Sequence, residues 1–422
     1  MLDVRFIVEH PHVIKDDLKK RFKADRIWLV DELLEDYNTL KKFKKEVDDL
    51  RHKRNVLSEE VNKLKKQKKD PKKQLKEVKD IPGKIKEVEE KITLLEEKMK
   101  EKQRQIPNIT HESVPQGKDE TENLEVRKIG KVQEKKYEVK NHAQLIEEYQ
   151  LADFDAGRLV AGEGFNYLLG KMALLDLALQ RYGIDFLLKQ KFTVVVPPLL
   201  IREEAMKGVV NMTDFKDTIY KVENEDKFLV GTAENALVPL FKDKVFKAKD
   251  LPVKVTAVTP CFRRELGAHG VDTKGLFRMH QFNKVEQVVF CDPQDSYILL
   301  EEIQKISEEF FKSLGLSIRT IAICSGDLGS KQAKQYDIEA WFPRQNAYKE
   351  VTSASNCTDY QSRPLNIKYE KQGIREYVHI LNNTMVATSR AMVAILENFQ
   401  EKDGSVTIPE VLQPYTGFKK IP

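Results

Sequence analysis

Two arginine-bearing runs are the first candidates for chemistry. Cys261-Phe-Arg-Arg-Glu-Leu-Gly-Ala-His-Gly is followed by Gly275-Leu-Phe-Arg-Met-His-Gln-Phe. Both read as strand ends joined by a Gly-rich loop. A guanidinium binds phosphate bidentately and keeps its charge at any working pH. Arg263 and Arg278 are therefore candidate phosphate ligands, and Phe282 is a candidate stacking surface for a purine. A surface hairpin with incidental charges would carry the same residues.

Three further segments set polar groups where a plain element would be apolar. Glu286 interrupts the strand-like Lys284-Val-Glu-Gln-Val-Val-Phe. A buried carboxylate needs a partner, either a substrate ammonium or a structural Arg or Lys. Gly231-Thr-Ala-Glu offers the Thr232 hydroxyl and the Glu234 carboxylate just after a strand. In Tyr348-Lys-Glu-Val-Thr-Ser-Ala-Ser-Asn, Glu350 and Ser353 are oxygen donors of the kind Mg²⁺ prefers. Arg390 stands near the start of an apolar closing helix, placed at about 389–399. It needs either a carboxylate or a phosphate.

The elements that must position these groups alternate between helix and strand patterns. Phe165, Leu168, Leu169, Met172, Leu175 and Leu179 share a helical face within 164–188. The run Phe192-Thr-Val-Val-Val-Pro-Pro reads as a buried strand. Further strand patterns fall at 227–230, 253–262, 282–290, 320–324, 336–341 and 348–353. Their hairpin-like spacing predicts an antiparallel sheet flanked by helices, an α+β fold. Neither GxGxxG nor GxxxxGK[ST] occurs, so any nucleotide is bound without a Rossmann crevice or a P-loop.

Residues 27–105 differ in kind. Leu40, Phe43, Val47, Leu50, Arg54, Leu57, Val61 and Leu64 follow a heptad seam, as do Val78, Ile81, Ile85, Val88, Ile92, Leu95 and Met99. Two seams joined by a polar stretch predict an antiparallel coiled-coil hairpin. The second helix starts either near Pro71 or near Pro82. The tip carries Lys63, Lys65, Lys66, Lys68, Lys69, Lys72, Lys73, Lys76 and Lys79 against Asp70 and Glu77, a local balance of +7. Such a tip is either a solvated face or a grip on a nucleic-acid backbone. It has few aromatics, so base stacking is not its main device.

Bulk composition narrows the class. The 422 residues are 41% apolar and 33% charged, with a net charge of only +5. Two or three domains are expected: 1–110 with the arm at about 27–105, a linker at 111–140, and a catalytic unit at 141–422. The four cysteines lie at least 30 residues apart, without zinc-finger or redox spacing. No apolar signal core or membrane-length run occurs, so a cytoplasmic protein with no membrane partner is expected.

Together these segments resemble the class II aminoacyl-tRNA synthetases, specifically the seryl-tRNA synthetases. Residues 192–200 with Pro197-Pro198 resemble motif 1, the dimer-interface element. Phe262-Arg-Arg-Glu through Phe277-Arg-Met-His-Gln-Phe-Asn-Lys-Val-Glu is similar to motif 2. Leu381-Asn-Asn-Thr through Arg390 and Leu396-Glu-Asn is similar to motif 3. Gly231-Thr-Ala-Glu matches the serine-binding segment, and the coiled-coil hairpin matches the tRNA-binding arm. Three positions depart from the family pattern. Ala354 stands where Cys is common, Arg264 where a small residue or Lys is, and Gly231 where Pro is frequent.

The resemblance implies a homodimeric ligase that uses ATP and Mg²⁺ to load L-serine onto tRNA(Ser). It leaves tRNA(Sec) as a second candidate. It implies that Arg263 holds the α-phosphate and the substrate carboxylate, that Glu265 contacts adenine, and that Phe282 stacks on it. Arg278 and Arg390 would hold the γ-phosphate end, making these three arginines the catalytic set, with Glu350 and Ser353 on Mg²⁺. Thr232, Ala233, Glu234, Glu286, Asn382 and Thr384 would form the serine pocket. Lys63, Lys65, Lys66, Lys68, Lys69, Lys72 and Lys73 would meet tRNA. A variant form of the family carries zinc in this pocket; no matching Cys and His set is present, so no zinc is expected. A ligase acting on a carrier protein and a non-catalytic RNA-binding scaffold remain the competing readings.

Overall fold

The computed structural model describes residues 1–212, 217–264 and 275–422. The chain divides into two compact units, Leu2–Pro107 and Asn108–Pro422, the latter also taking in Met1.

The first unit is dominated by two long helices, α1 (Ile27–Lys66) and α2 (Lys72–Gln105). At 1.5 Å per residue, the 40 residues of α1 extend about 60 Å. Val47, Ile81, Ile85 and Val88 are buried along the seam, flanked by Phe43, Leu50, Leu57 and Ile92. Arg54, which falls on the seam by spacing, is exposed. The helices are laced at their edges by Arg51–Glu89 and Lys44–Glu96 ion pairs, each 2.8 Å. Lower down, Lys102 is clamped at 2.6 Å by both Glu32 and Asp36.

The second helix starts beside Pro71, and Pro82 lies inside it. A proline there removes one intrahelical hydrogen bond. Pro82 is on the exposed side next to the buried seam residue Ile81, so continued seam packing offsets the loss. The joining turn is short, residues 67–71, and Lys68 takes a positive φ of 56°.

The second unit is built on an eight-stranded sheet. In chain order its strands are β1 (Leu124–Ile129), β2 (Thr193–Val194), β3 (Val253–Phe262), β4 (Gln281–Cys291), β5 (Ile318–Ala322), β6 (Lys334–Phe342), β7 (Ala347–Asn356) and β8 (His379–Ala387). Across the sheet they run β1-β5-β6-β7-β8-β4-β3-β2, all antiparallel except the β2–β3 pair at one edge. One face packs on helices α3 (Gly170–Lys189), α4 (Ser296–Ser313) and α5 (Thr388–Asn398). Met172, Leu175, Leu179, Phe310, Phe311 and Met392 join Val285, Val289 and Ile338 in that core. The opposite face has a smaller apolar patch around Val288 and Phe290. Beyond that patch, the same face carries the polar groups of interest.

Three sequence expectations need correction. Residues 124–129 are not linker: β1 pairs along β5 as an edge strand, and the second unit begins at Asn108. Only Thr193–Val194 of the 192–198 run forms a strand, and it is exposed. It pairs on one side only and is ended by Pro197-Pro198, so Val196 is 94% exposed in this chain. The 164–188 helix begins only at Gly170, because Tyr167–Leu168 pairs with Ala152–Asp153 as a short ribbon. Residues 379–387, which are not among the strand patterns read from the sequence, form a further, buried strand. The Asn383 side-chain N–H groups find partners in the core, donating to Ile303 O at 2.7 Å and to Ser307 Oγ at 2.9 Å.

Candidate active site

Strand register gathers the site. On β4, Phe282, Lys284 and Glu286 alternate onto one face. Thr384 on β8 lies directly across from Glu286, and Asn382 lies two residues further on that face. Ser355 of β7 pairs with Asn382, so Ser353 shares the face too, and Asp337 of β6 lies opposite Ser353.

Glu350 should fall on the other side, since period-two alternation separates positions 350 and 353. A β-bulge prevents this. The register runs Ser353–Asp337, Thr352–Ile338, then Glu350–Glu339, leaving Val351 as the extra residue. Glu350 and Ser353 thereby share a face, with Asp337 beside them. A second bulge at Met385 falls between Thr384–Glu286 and Val386–Val285 on β8. Both bulges border the candidate site, where such re-aiming of side chains is common.

The pocket end is a network of buried charges. Glu286 is 1% exposed. Its Oε2 accepts from Lys284 Nζ at 2.6 Å and from the Thr232 hydroxyl at 3.3 Å. Lys284 Nζ also lies 3.5 Å from the Thr384 hydroxyl. The partner that Glu286 needed is thus a lysine two residues away on the same strand. Glu234 has different company: Lys331 Nζ at 2.5 Å, Gln361 Nε2 at 2.7 Å and Asn382 Nδ2 at 3.1 Å. Burial alone would lower the Lys331 pKa, but the Glu234 carboxylate reverses this and holds it above the ordinary value. Beneath Asn382, burial pushes the Cys357 thiol up to about 12, so it stays protonated. Ala233 is fully buried between Thr232 and Glu234.

The arginine end is more open. Arg263 Nε donates to Gly231 O at 3.0 Å, and its guanidinium lies 5.5 Å from the Phe282 ring centroid. Its backbone N–H donates to His280 O at 2.9 Å, tying the two motif-2 strands together. Arg390 pairs with Glu350 at 3.0 Å and covers the Phe277 ring at 5.4 Å. Arg278 is exposed. Glu265 lies outside the described residues.

Asp337, Lys284, Lys331 and Gln361 were not singled out from the sequence. Asp337 interrupts the apolar Tyr336–Trp341 run, the same signal that singled out Glu286. Burial, and then the neighbouring Glu350 carboxylate, drive the Asp337 pKa well above the ordinary carboxylate range. Glu350, Ser353 and Asp337 form an all-oxygen group, matching the donors a hard divalent cation takes. Among the described residues, no cluster of three or more His, Cys, Asp or Glu side chains has metal-site geometry.

Comparison with known proteins decides the family. Residues 219–399 match the class II tRNA synthetase core domain shared by the glycine, histidine, proline, serine and threonine enzymes. Residues 1–110 match the seryl-tRNA synthetase N-terminal domain. A serine–tRNA ligase of Methanocella arvoryzae is 47% identical over 98% of both chains. The chain belongs to the seryl-tRNA synthetase family.

The structural likeness is equally complete. The seryl-tRNA synthetase of Pyrococcus horikoshii complexed with ATP superposes with a TM-score of 0.94 at 42% identity, covering 100% of this chain and 99% of that one. The cytoplasmic serine–tRNA ligase of Naegleria fowleri in complex with AMP gives 0.88 at 33% identity, covering 100% and 98%. Membership of this family makes the chain an ATP-dependent ligase.

Proposed function

We propose that this chain activates L-serine with ATP to seryl-adenylate and transfers serine to the 3′-terminal adenosine of tRNA(Ser). The observation carrying the reading is the single sheet face shared by Phe282, Glu286, Thr384, Glu350 and Ser353, with Arg263 at its edge. The serine carboxylate attacks the α-phosphorus of ATP in line, the bond to the bridging oxygen breaks, and pyrophosphate leaves. The nucleophile is already an anion, so no protein base is needed. Catalysis is positioning plus charge neutralisation.

Arg263 holds the serine carboxylate and the α-phosphate. Phe282, already beside the Arg263 guanidinium, stacks on adenine with Glu265 at its edge. Arg278 and Arg390 hold the γ-phosphate end. Glu350 and Ser353 would hold Mg²⁺, which would supply charge neutralisation at the phosphates. Glu286 takes the serine ammonium with Thr232, and Thr384 takes its hydroxyl. Ala233, Glu234 and Asn382 build the pocket wall, Glu234 through its bonds to Lys331 and Asn382. The pocket carries no zinc.

The arm grips tRNA by phosphate neutralisation and shape, with tRNA(Sec) a second candidate cargo. Its tip lysines are all exposed. Exposed Leu177, Val194 and Val196 around the open sheet edge support a homodimer; a monomer in sedimentation at micromolar concentration would remove that part. Among the described residues no helix is long and apolar enough to cross a membrane, and a cytoplasmic location goes with the reading.

The test is amino-acid-dependent ATP–pyrophosphate exchange with serine, threonine, alanine, glycine and proline in parallel. Exchange with serine alone is expected. Alanine is refused because it leaves the hydroxyl-binding groups unpaired, which discriminates strongly. Exchange with another amino acid in preference to serine would overturn the pocket assignment.

A further inference from the structure

A buried acid–imidazole pair lies away from the substrate groups. His142 opens a short helix, His142–Glu148. Its Nδ1 lies 3.1 Å from Glu397 Oε1, and its backbone N–H donates to the same oxygen at 3.4 Å. Facing a carboxylate, Nδ1 carries the proton. His142 is 8% exposed and Glu397 1%. Apolar side chains would fill this space at less cost, because a buried carboxylate is expensive unless paired.

What the pair touches suggests its use. Glu397 stands seven residues after Arg390 on α5, two turns along and on nearly the same helical face. The far edge of the imidazole meets Gly275. A methyl group there would lie 2.3 Å from His142 Nε2, and Gly275 has φ +95°, open only to glycine at low cost. From Gly275 the chain runs through fully buried Leu276 to Phe277. The Phe277 ring lies 5.4 Å from the Arg390 guanidinium and 5.7 Å from the Phe342 ring. Arg278 comes next. One imidazole therefore bridges the helix that carries Arg390 and the backbone that leads into Arg278.

We infer that His142 and Glu397 are positioning residues that set Arg278 and Arg390 at a fixed spacing across the triphosphate of ATP. The hydrogen bond fixes the ring plane, and the ring edge fixes where the Gly275 backbone can lie. This rests on the assignment of Arg278 and Arg390 to the phosphates. The contacts of the pair lead to Arg390 and Arg278 and not to Glu286, so its effect belongs to ATP.

Pyrophosphate exchange in the full-length chain tests this, with KM for ATP and for serine measured separately. His142→Ala is expected to raise KM for ATP about tenfold, a coupling-sized effect, while KM for serine stays within about twofold. His142→Asn keeps an N–H donor in reach of Glu397 and should recover most of the loss. His142→Phe keeps the ring without the donor and should not. If His142→Ala does not fold, the Asn and Phe variants carry the comparison. An unmoved KM for ATP in these variants overturns the proposal. So does a Phe variant as good as wild type, or a rise shared equally by ATP and serine. Arg390→Ala runs alongside: if it also leaves KM for ATP unmoved, the phosphate assignment has failed; if it raises KM while the His142 variants do not, only the positioning has.

Discussion

On the proposed function, the arm and the sheet unit hold anionic substrates by opposite strategies. The arm spreads nine lysines over 63–79, all exposed, on a seam with a simple local repeat. The sheet concentrates its chemistry in a few groups fixed by register, burial and two bulges. Distributed charge tolerates error in any one position, because phosphate neutralisation is additive and insensitive to exact geometry. A preorganised site does not, because a misplaced donor loses most of its effect on the transition state.

Deleting the arm gives the largest contrast. Removal of residues 40–100 should abolish tRNA charging and leave serine-dependent pyrophosphate exchange near its normal rate. The sheet unit has its own core and begins at Asn108, so it keeps the groups that exchange requires. Arg263→Ala should do the reverse to the first step, costing about 2–4 kcal/mol in exchange, as lost oxyanion donors do. Measuring both reactions on both variants breaks the comparison if the deletion loses exchange, or if Arg263→Ala retains it.

The bulge at Val351 offers a sharper probe. Inserting one alanine between Ile338 and Glu339 gives Val351 a partner, restores regular pairing between β6 and β7, and turns Glu350 to the face opposite Ser353. Exchange should then fall to the level of Glu350→Ala, with a higher Mg²⁺ concentration needed for half-maximal rate. Near-normal Mg²⁺ dependence in the folded insertion variant would show that the shared face is not what matters.

This bulge also marks the limit of what the sequence makes legible. The coiled coil could be read because its seam depends on neighbours three and four residues apart. The strands 253–262 and 282–290 could be read because they alternate or run apolar. Glu286, Arg263 and Glu350 stood out as charges in such runs. Which of them face each other depends on inter-strand register, which no local pattern encodes. The Lys331 partner of Glu234 lies 97 residues away in sequence, so nothing near Thr232-Ala-Glu could announce it. The edge position of Thr193–Val194 was likewise invisible, because its exposure follows from which strand pairs with it.

Acid should separate the units next. His379 opens β8 and accepts or donates at Ser296 Oγ, 2.9 Å away. Burial lowers its pKa to about 4, against opposing pulls from Asp359 and Asp292, with Arg363 adding slightly to the lowering. The folded pKa is below the unfolded one, so the unfolded chain binds more protons between these values and stability rises with pH there. That stability is present above about pH 6.5 and lost as pH falls through about 4, amounting to about 3 kcal/mol. Thermal unfolding of the sheet unit followed from pH 7 to 4 should show this slope in the wild type and lose it in His379→Asn. Parallel slopes in the two proteins would remove His379 as the cause.

The smallest expected effect is the most telling about the arm. A single change such as Lys68→Ala or Lys73→Ala removes one of nine charges from an exposed tip. If that lysine neutralises one phosphate, the slope of log K against log salt for tRNA binding should become shallower by about 0.7–0.9, with no change in exchange. Binding at moderate salt should weaken only severalfold, and by a similar amount at each tip position. Titrating tRNA binding across a salt series for each variant checks this. If one lysine instead costs as much as Arg263, with an unchanged salt slope, then the arm reads a specific group on the tRNA and the contrast with the sheet disappears.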